Sequence, residues 1–240
     1  MRAIPETAMV LAAGLGTRMR PISEQLPKPL VQVGGRALID HVLDRLVGVG
    51  VRRVVVNLHY RAEMIERHLA ARRDVDLRFS FEPDLLDTGG GVAQALPQLD
   101  DVFYVVNSDV IWLDTKLWAL ARLARAFDPE RHDAVLLLQR TAQAVGYSGL
   151  GDFMLDPSGN LRRRGEREVA PHLFAGVQLL HCRLFDGAPQ GAFSINPLWD
   201  KAIAAGRIRG LVHDGEWFHV GSPAGLALTE ARLNTHRIER

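Results

Sequence analysis

The run Leu11-Ala12-Ala13-Gly14-Leu15-Gly16-Thr17-Arg18-Met19-Arg20-Pro21 follows a short apolar stretch and joins two glycines to an arginine. Gly14 and Gly16 permit tight turns and close backbone approach to a bound group. N–H groups exposed in such a turn cradle anions. Arg18 adds a planar fork of donors that suits phosphate oxygens. Pro27-Lys28-Pro29-Leu30 comes next, and its prolines stiffen the backbone around a single lysine, so that the ammonium is aimed with little loss of entropy. The pattern lacks the Lys-Ser/Thr ending of a P-loop and the third glycine of a dinucleotide fingerprint. A short glycine-rich turn alone reads equally well as a structural turn; with Arg18 and the Pro-Lys-Pro unit behind it, it reads as a phosphate site. Two further runs stand out. Asp87-Thr88-Gly89-Gly90-Gly91 opens a helical stretch, where three glycines weaken the helix to no purpose unless something approaches closely. Phe103-Tyr104-Val105-Val106-Asn107-Ser108-Asp109 is an apolar run ending in a carboxylate, which either caps the next element or meets a ligand.

Short β-branched or apolar runs alternate with amphipathic stretches and supply the frame for these groups. The predicted strands are Ala8–Ala13, Val54–Leu58, Leu77–Phe81, Phe103–Asn107, Ala134–Gln139 and Phe174–Leu180. Leu38, Ile39, Val42, Leu43, Leu46 and Val47 recur at helical spacing and predict a helix over Ala37–Val47. Further helices are expected over Ala62–Ala71, Gly89–Leu96, Leu117–Phe127, Pro197–Ala205 and Pro223–Arg232. The β–α–β–α order implies an α/β fold, a doubly wound, mostly parallel sheet with helices on both faces. Ligands in such sheets gather at the carboxyl ends of strands, here the loops after Ala13, Leu58, Phe81 and Asn107. From about Gly146 glycine and aspartate become frequent, and Asp156-Pro157-Ser158-Gly159-Asn160 is a turn. The last third reads as a smaller subdomain continuous with the first.

The chain has 240 residues, 47% of them apolar, enough for a substantial core. With 29 basic and 28 acidic side chains the net charge is +1, and nothing in that balance argues for nucleic acid or an anionic membrane as the main partner; neither is expected. Cys182 is the single cysteine, so no internal disulfide or cysteine-based metal cluster can form, and a reducing cytoplasm is expected. Met1 to Thr7 carries no long apolar stretch, so no secretory signal is expected, and no apolar run is long enough to span a bilayer.

Leu11 through Leu30 resembles the signature of the sugar-1-phosphate nucleotidyltransferases: a glycine-rich loop ending in Thr-Arg-hydrophobe-Arg-Pro, followed by Pro-Lys-Pro. The likeness continues through most of the chain. It implies one Rossmann-like nucleotidyltransferase domain over residues 1–240, with the nucleotide bound by approximately 1–140. A sugar-binding part and a C-terminal helix fall in 141–240. The resemblance assigns the NTP phosphates to Leu11, Ala12, Gly14, Gly16, Thr17, Arg18 and Lys28. It assigns the base and ribose to backbone groups of Gly89 and Gly90, with Asn107 also contacting the nucleotide. Asp109 is the implied ligand of Mg²⁺, with Mn²⁺ as a substitute; a carboxylate together with substrate phosphates is the usual way to hold this cation. Arg18, Lys28 and Asp109 are the implied catalytic residues. Gly151, Asp152, Glu166, Gly176 and His219 fall on the sugar side. Arg162–Arg164 read as a solvated charge run, His59 as a residue able to line the site, and Trp112 and Trp118 as packing. One departure stands in Glu216-Trp217-Phe218-His219-Val220-Gly221-Ser222: the family has an aspartate, its second metal ligand, where His219 stands. His219 is therefore the candidate for a second metal position or a direct phosphate contact.

Several runs resemble one short branch of the family: the triple glycine, Gly149-Leu150-Gly151-Asp152-Phe153, Phe174-Ala175-Gly176-Val177 and Phe193-Ser194-Ile195-Asn196-Pro197-Leu198. That branch implies UTP and N-acetylmuramic acid α-1-phosphate as substrates, in peptidoglycan recycling within the cell-wall economy. Related short enzymes imply the alternative of GTP with mannose- or heptose-1-phosphate. The implied reaction is direct displacement at the α-phosphorus with loss of pyrophosphate, by a monomer or small homo-oligomer. The departure at His219 keeps a different class in view, a catalytically inactive nucleotide-sugar-binding regulatory protein.

Overall fold

The computed structural model describes residues 4–238; residues 1–3 of the N-terminal stretch discussed above lie outside it. In chain order the first half holds β1 (Thr7–Leu11), the one-turn α1 (Ile22–Gln25), a small antiparallel pair β2 (Gln32–Val33) and β3 (Arg36–Ala37), and α2 (Leu38–Val49). It continues with β4 (Arg53–Leu58), α3 (Ala62–Leu69), β5 (Asp76–Phe81), α4 (Asp87–Ala95) and β6 (Val102–Asn107). The second half holds β7 (Val110–Leu113), α5 (Ala119–Ala126), β8 (Ala134–Arg140), β9 (Phe153–Leu155), β10 (Leu161–Arg163) and β11 (His172–His181). It ends with α6 (Asn196–Ala204), β12 (Ile208–Val212), β13 (Glu216–His219) and α7 (Pro223–Ile238).

In the main sheet β1 lies parallel between β4 and β6, with β5 parallel outside β4. The ten-residue β11 then closes the other side of β6 in the antiparallel sense and pairs along its far edge with β8. β12 adds to β8 in parallel, while β9 and β10 extend the antiparallel end. The expected doubly wound α/β sheet is thus present, with antiparallel strands from the last third joined to it.

Alternation along the strands builds two cores. Met9, Val55 and Val105, register neighbours, point to the face covered by α4 and α6. Ala8, Val10, Val54, Val56, Tyr104 and Val106 point to the face covered by α2, α3 and α5. All nine are fully buried. A one-residue slip of β1 would exchange the two sets, so burial of about 1.5–3 kcal/mol per large apolar side chain fixes the register. α2 buries Leu38, Ile39, Val42, Leu43 and Leu46, the stripe read from the sequence, and stops at Gly50 with φ 107. Trp112 packs in the core, whereas Trp118 is 42% exposed.

Several features were absent from the sequence reading, among them α1, β2, β3, β9 and β10. Ser108 and Asp109 turn the chain from β6 directly into β7, which pairs antiparallel with β13. That pairing sets His219 opposite Val110, next to Asp109. β12 was also not foreseen. No helix among the described residues is long and apolar enough to cross a membrane.

Candidate active site

A cleft of about 310 Å³ opens at the carboxyl ends of β1, β4, β5 and β6. Parallel pairing gathers these ends, because Leu11 is the register partner of both Asn57 and Asn107. Beneath the cleft runs a buried polar chain. The Ala12 N–H donates to Asn57 Oδ1 at 2.7 Å, Asn57 Nδ2 donates to Glu82 Oε1 at 2.7 Å, and the Leu86 N–H donates to Glu82 Oε2 at 3.0 Å. Asn57 is 3% exposed and Glu82 1%. Buried polar groups are tolerated only when paired, and this chain uses the pairing to hold the loop after β1 at a fixed distance from the loop after β5. Gly91 completes the arrangement: a Cβ there would stand 2.7 Å from Glu82 Oε1.

Cationic groups face the cleft from the first loop. Arg18 is exposed and has no hydrogen bond or ion pair among the described residues. Lys28, between buried Pro27 and Pro29, donates from Nζ to Asp109 Oδ2 at 2.5 Å. His219 Nε2 lies 3.4 Å from the same oxygen, and its ring stacks on Trp217 with centroids 6.0 Å apart. Gly221 makes room for that ring, since a Cβ would come within 2.4 Å of it. Burial pushes the Asp109 carboxyl up; the hydrogen bond from His219 and the charges of Lys28 and His219 more than reverse this, holding it well below the usual carboxylate range. Asp109 is therefore an anion at neutral pH and needs no proton removed to meet a cation. Among the described residues no group of three or more His, Cys, Asp or Glu side chains forms a metal cage. One carboxylate facing a phosphate-type loop fits Mg²⁺, which retains waters and takes substrate phosphate oxygens. Imidazole is a softer ligand, and His219 fits that cation less well.

A second cavity of about 400 Å³ adjoins the first and shares Leu11, Asp87, Thr88 and Asn107 with it. Its far side holds Asp152, Arg163, Gln178, Asn196 and Trp199. Asp152 Oδ2 accepts the Phe174 N–H at 2.8 Å, and Trp199 Nε1 donates to Gln178 Oε1 at 3.1 Å. Asp87, on the ridge between the cavities, is in the left-handed region at φ 58.

The family model described as Nucleotidyl transferase matches residues 7–150. The chain belongs to the nucleotidyl transferase family. This nucleotidyl transferase is 43% identical over 239 residues to an N-acetylmuramate α-1-phosphate uridylyltransferase of Caulobacter vibrioides, covering 97% of this chain and 99% of that one. It is 33% identical over 231 residues to an enzyme of the same name from Neisseria meningitidis, covering 93% and 96%. Among solved structures, its fold is like that of the inositol-1-phosphate CTP transferase from T. maritima, with a TM-score of 0.76, 18% identity and coverage of 95% and 96%.

The nucleotidyl transferase brings Leu11, Ala12, Gly14, Gly16, Thr17, Arg18, Lys28, Asn107 and Asp109 together around one cleft. Gly89 and Gly90 do not join them. Both are buried, and both N–H groups donate to the Phe193 carbonyl, at 2.9 and 3.0 Å. A Cβ on Gly90 would meet Gly191 O at 2.2 Å. The close approach inferred from the glycines is made by the chain itself, and the ridge is formed by their neighbours Asp87 and Thr88. Glu166 is exposed in a turn and lines neither cavity, so a sugar contact from it has no geometric basis. Gly151 lies in a turn against Ala170 O, and Gly176, at φ 74, sits in the bulge of β11 against Asn107; they shape the walls from behind. Of the three arginines only Arg162, 61% exposed, is solvated as expected. Arg162 pairs with Glu168, Arg164 binds backbone carbonyls, and Arg163 reaches the second cavity. His59 is occupied by Glu82 O at 2.8 Å. Sequence reasoning missed Asn57 and Glu82, since single polar residues at strand ends carry no spacing signal; Gly221 stood in the Trp217–Ser222 run, but its role beside the His219 ring was not read.

Proposed function

We propose that this nucleotidyl transferase joins UTP to N-acetylmuramic acid α-1-phosphate, forming UDP-N-acetylmuramic acid and pyrophosphate. The observation that carries the reading is the pair of adjoining cavities, one cationic and lined by the loop after β1, the other polar and aromatic, which meet at Leu11, Asp87, Thr88 and Asn107. Near-complete coverage of the Caulobacter uridylyltransferase supports the choice of nucleotide and sugar.

In this reading Arg18, Lys28 and the loop N–H groups hold the triphosphate and turn its α-phosphorus toward the second cavity. An oxygen of the sugar phosphate attacks that phosphorus, a new P–O bond forms, and the bond to the β-phosphate oxygen breaks. The attacking oxygen is already ionised, so alignment and charge neutralisation do most of the work. Asp109 would hold Mg²⁺, which when bound offsets negative charge on the phosphates. Freed from Asp109, Lys28 would swing its ammonium onto the leaving pyrophosphate.

Pyrophosphate release with UTP, ATP, GTP and CTP against a panel of sugar 1-phosphates tests the proposal. Highest kcat/KM for UTP with N-acetylmuramic acid α-1-phosphate is expected. A preference for GTP with mannose- or heptose-1-phosphate overturns it. UTP binding without pyrophosphate release for any sugar would make the chain a nucleotide-sugar-binding regulator.

A further inference from the structure

Arg163 ends β10 on the wall of the second cavity. Its guanidinium lies over two rings, 4.9 Å from the Phe153 centroid and 5.5 Å from that of Trp199. Nε donates to Asp200 Oδ1 at 2.6 Å, and Nη2 donates to Asn196 O and Oδ1 at 3.2 and 3.1 Å. The side chain is 32% exposed. These contacts fix the plane of the group and leave Nη1 without a partner among the described residues. No other cationic side chain among the described residues lines this cavity.

A rigidly held, partly desolvated guanidinium with a donor edge to spare is a receptor for an anion. The phosphate of a sugar 1-phosphate belongs where the two cavities meet, facing the α-phosphorus, so it does not account for Arg163 on the far wall. We infer that Arg163 is a specificity-determining residue that recognises a carboxylate carried by the sugar, away from its 1-phosphate. This rests on the proposed function and deepens it: N-acetylmuramic acid differs from N-acetylglucosamine by a lactyl ether that ends in a carboxylate. Asp200 already balances part of the arginine's charge, which suits a singly charged partner better than a second phosphate. The aromatic floor keeps water from competing for the ion pair.

The test is the ratio of kcat/KM for N-acetylmuramic acid 1-phosphate over N-acetylglucosamine 1-phosphate, both with UTP and excess Mg²⁺. R163A is expected to lower that ratio about ten- to hundredfold, mainly through KM, as loss of a charge-assisted hydrogen bond does. R163K restores part of it. Because Arg163 also ties β10 to α6, R163M, which keeps the stem against the rings, guards against a folding defect, and thermal melts accompany each variant. A ratio unchanged within threefold in folded R163A and R163M overturns the inference, as does an equal loss on both sugars. Turnover of neither sugar by the wild type overturns the proposed function instead. Glucuronic acid 1-phosphate against glucose 1-phosphate, with whichever NTP is used, then decides the role of Arg163 by the same ratio.

Discussion

Asp109 Oδ2 has two partners at once, Lys28 Nζ at 2.5 Å and His219 Nε2 at 3.4 Å. Lys28 was legible in the sequence because the flanking prolines mark it, and His219 because it stands where the family has a metal-binding aspartate; that His219 reaches Asp109 depends on the β7–β13 pairing. Lys28→Ala is expected to lower kcat by about 10²–10³-fold, the effect of removing one transition-state donor worth about 2–4 kcal/mol. The fold survives, since His219 still faces the carboxylate. Steady-state kinetics beside a thermal melt check this, and normal turnover by a folded variant defeats it. His219→Asp is expected to stay active and to need less Mg²⁺ for half-maximal rate, because it adds a hard anionic ligand. A Mg²⁺ titration reads the shift; a folded but inactive variant would count against a metal at this position. Arg18, Lys28 and Asp109 could be read from the sequence because each sits in a patterned run. Asn57 and Glu82 could not, because their significance lies in a contact across 25 positions of sequence.

At the level of elements, β1, α2, β4, α3, β5, α4 and β6 of the first half were readable from the sequence pattern, whereas α1, β2 and β3, of two to four residues each, are too short to show one. β7, β12 and β13 were not readable either, being only four or five residues long and dependent on distant partners. The triple glycine was seen as a site of close approach, but the approaching body is the segment before α6. Four hydrogen bonds fasten it: Phe193 N–H to Leu86 O, Gly89 and Gly90 N–H to Phe193 O, and Ile195 N–H to Thr88 Oγ1. Gly90→Ala sets two effects against each other. In a helix interior the change favours folding by about 0.5–1 kcal/mol. Against it stand overpacking of about 1–3 kcal/mol and the loss of hydrogen bonds at about 0.5–1.5 kcal/mol each. The obstacle is backbone, Gly191 O, which cannot rotate away, so net destabilisation is expected. The urea midpoint should fall, and KM should rise for both substrates because the strap borders the ridge they share. A stabilised variant with unchanged KM values would show that the strap yields freely.

For the whole molecule, three histidines tie stability to pH. His172, His181 and His213 all have lowered pKa values, in each case first through burial. His213 is 1% exposed and its Nδ1 has no partner among the described residues. Below the ordinary imidazole value near ~6.5 the unfolded chain binds more protons than the folded one. Stability is therefore expected to fall as pH drops from about 6.5 toward the lower folded values, before the carboxylates titrate. Urea midpoints at about pH 7.5 and 5.5 measure the loss, and His213→Gln should shrink it; a midpoint flat across this window contradicts the assignment. The doubly wound sheet was legible from element order, but its closure was not, because β6 finds its outer partner only in Val177–His181 of β11. That separation has a consequence during synthesis. A nascent chain that has emerged as far as Asn107 already contains β1, β4, β5 and β6, yet the outer edge of β6 is an unpaired row of N–H and C=O groups. The edge stays open until about seventy more residues have been added, since Val177 lies 70 positions beyond Asn107. Ribosome-bound intermediates of this length are the forms of the protein most exposed to misassociation and most in need of chaperone cover.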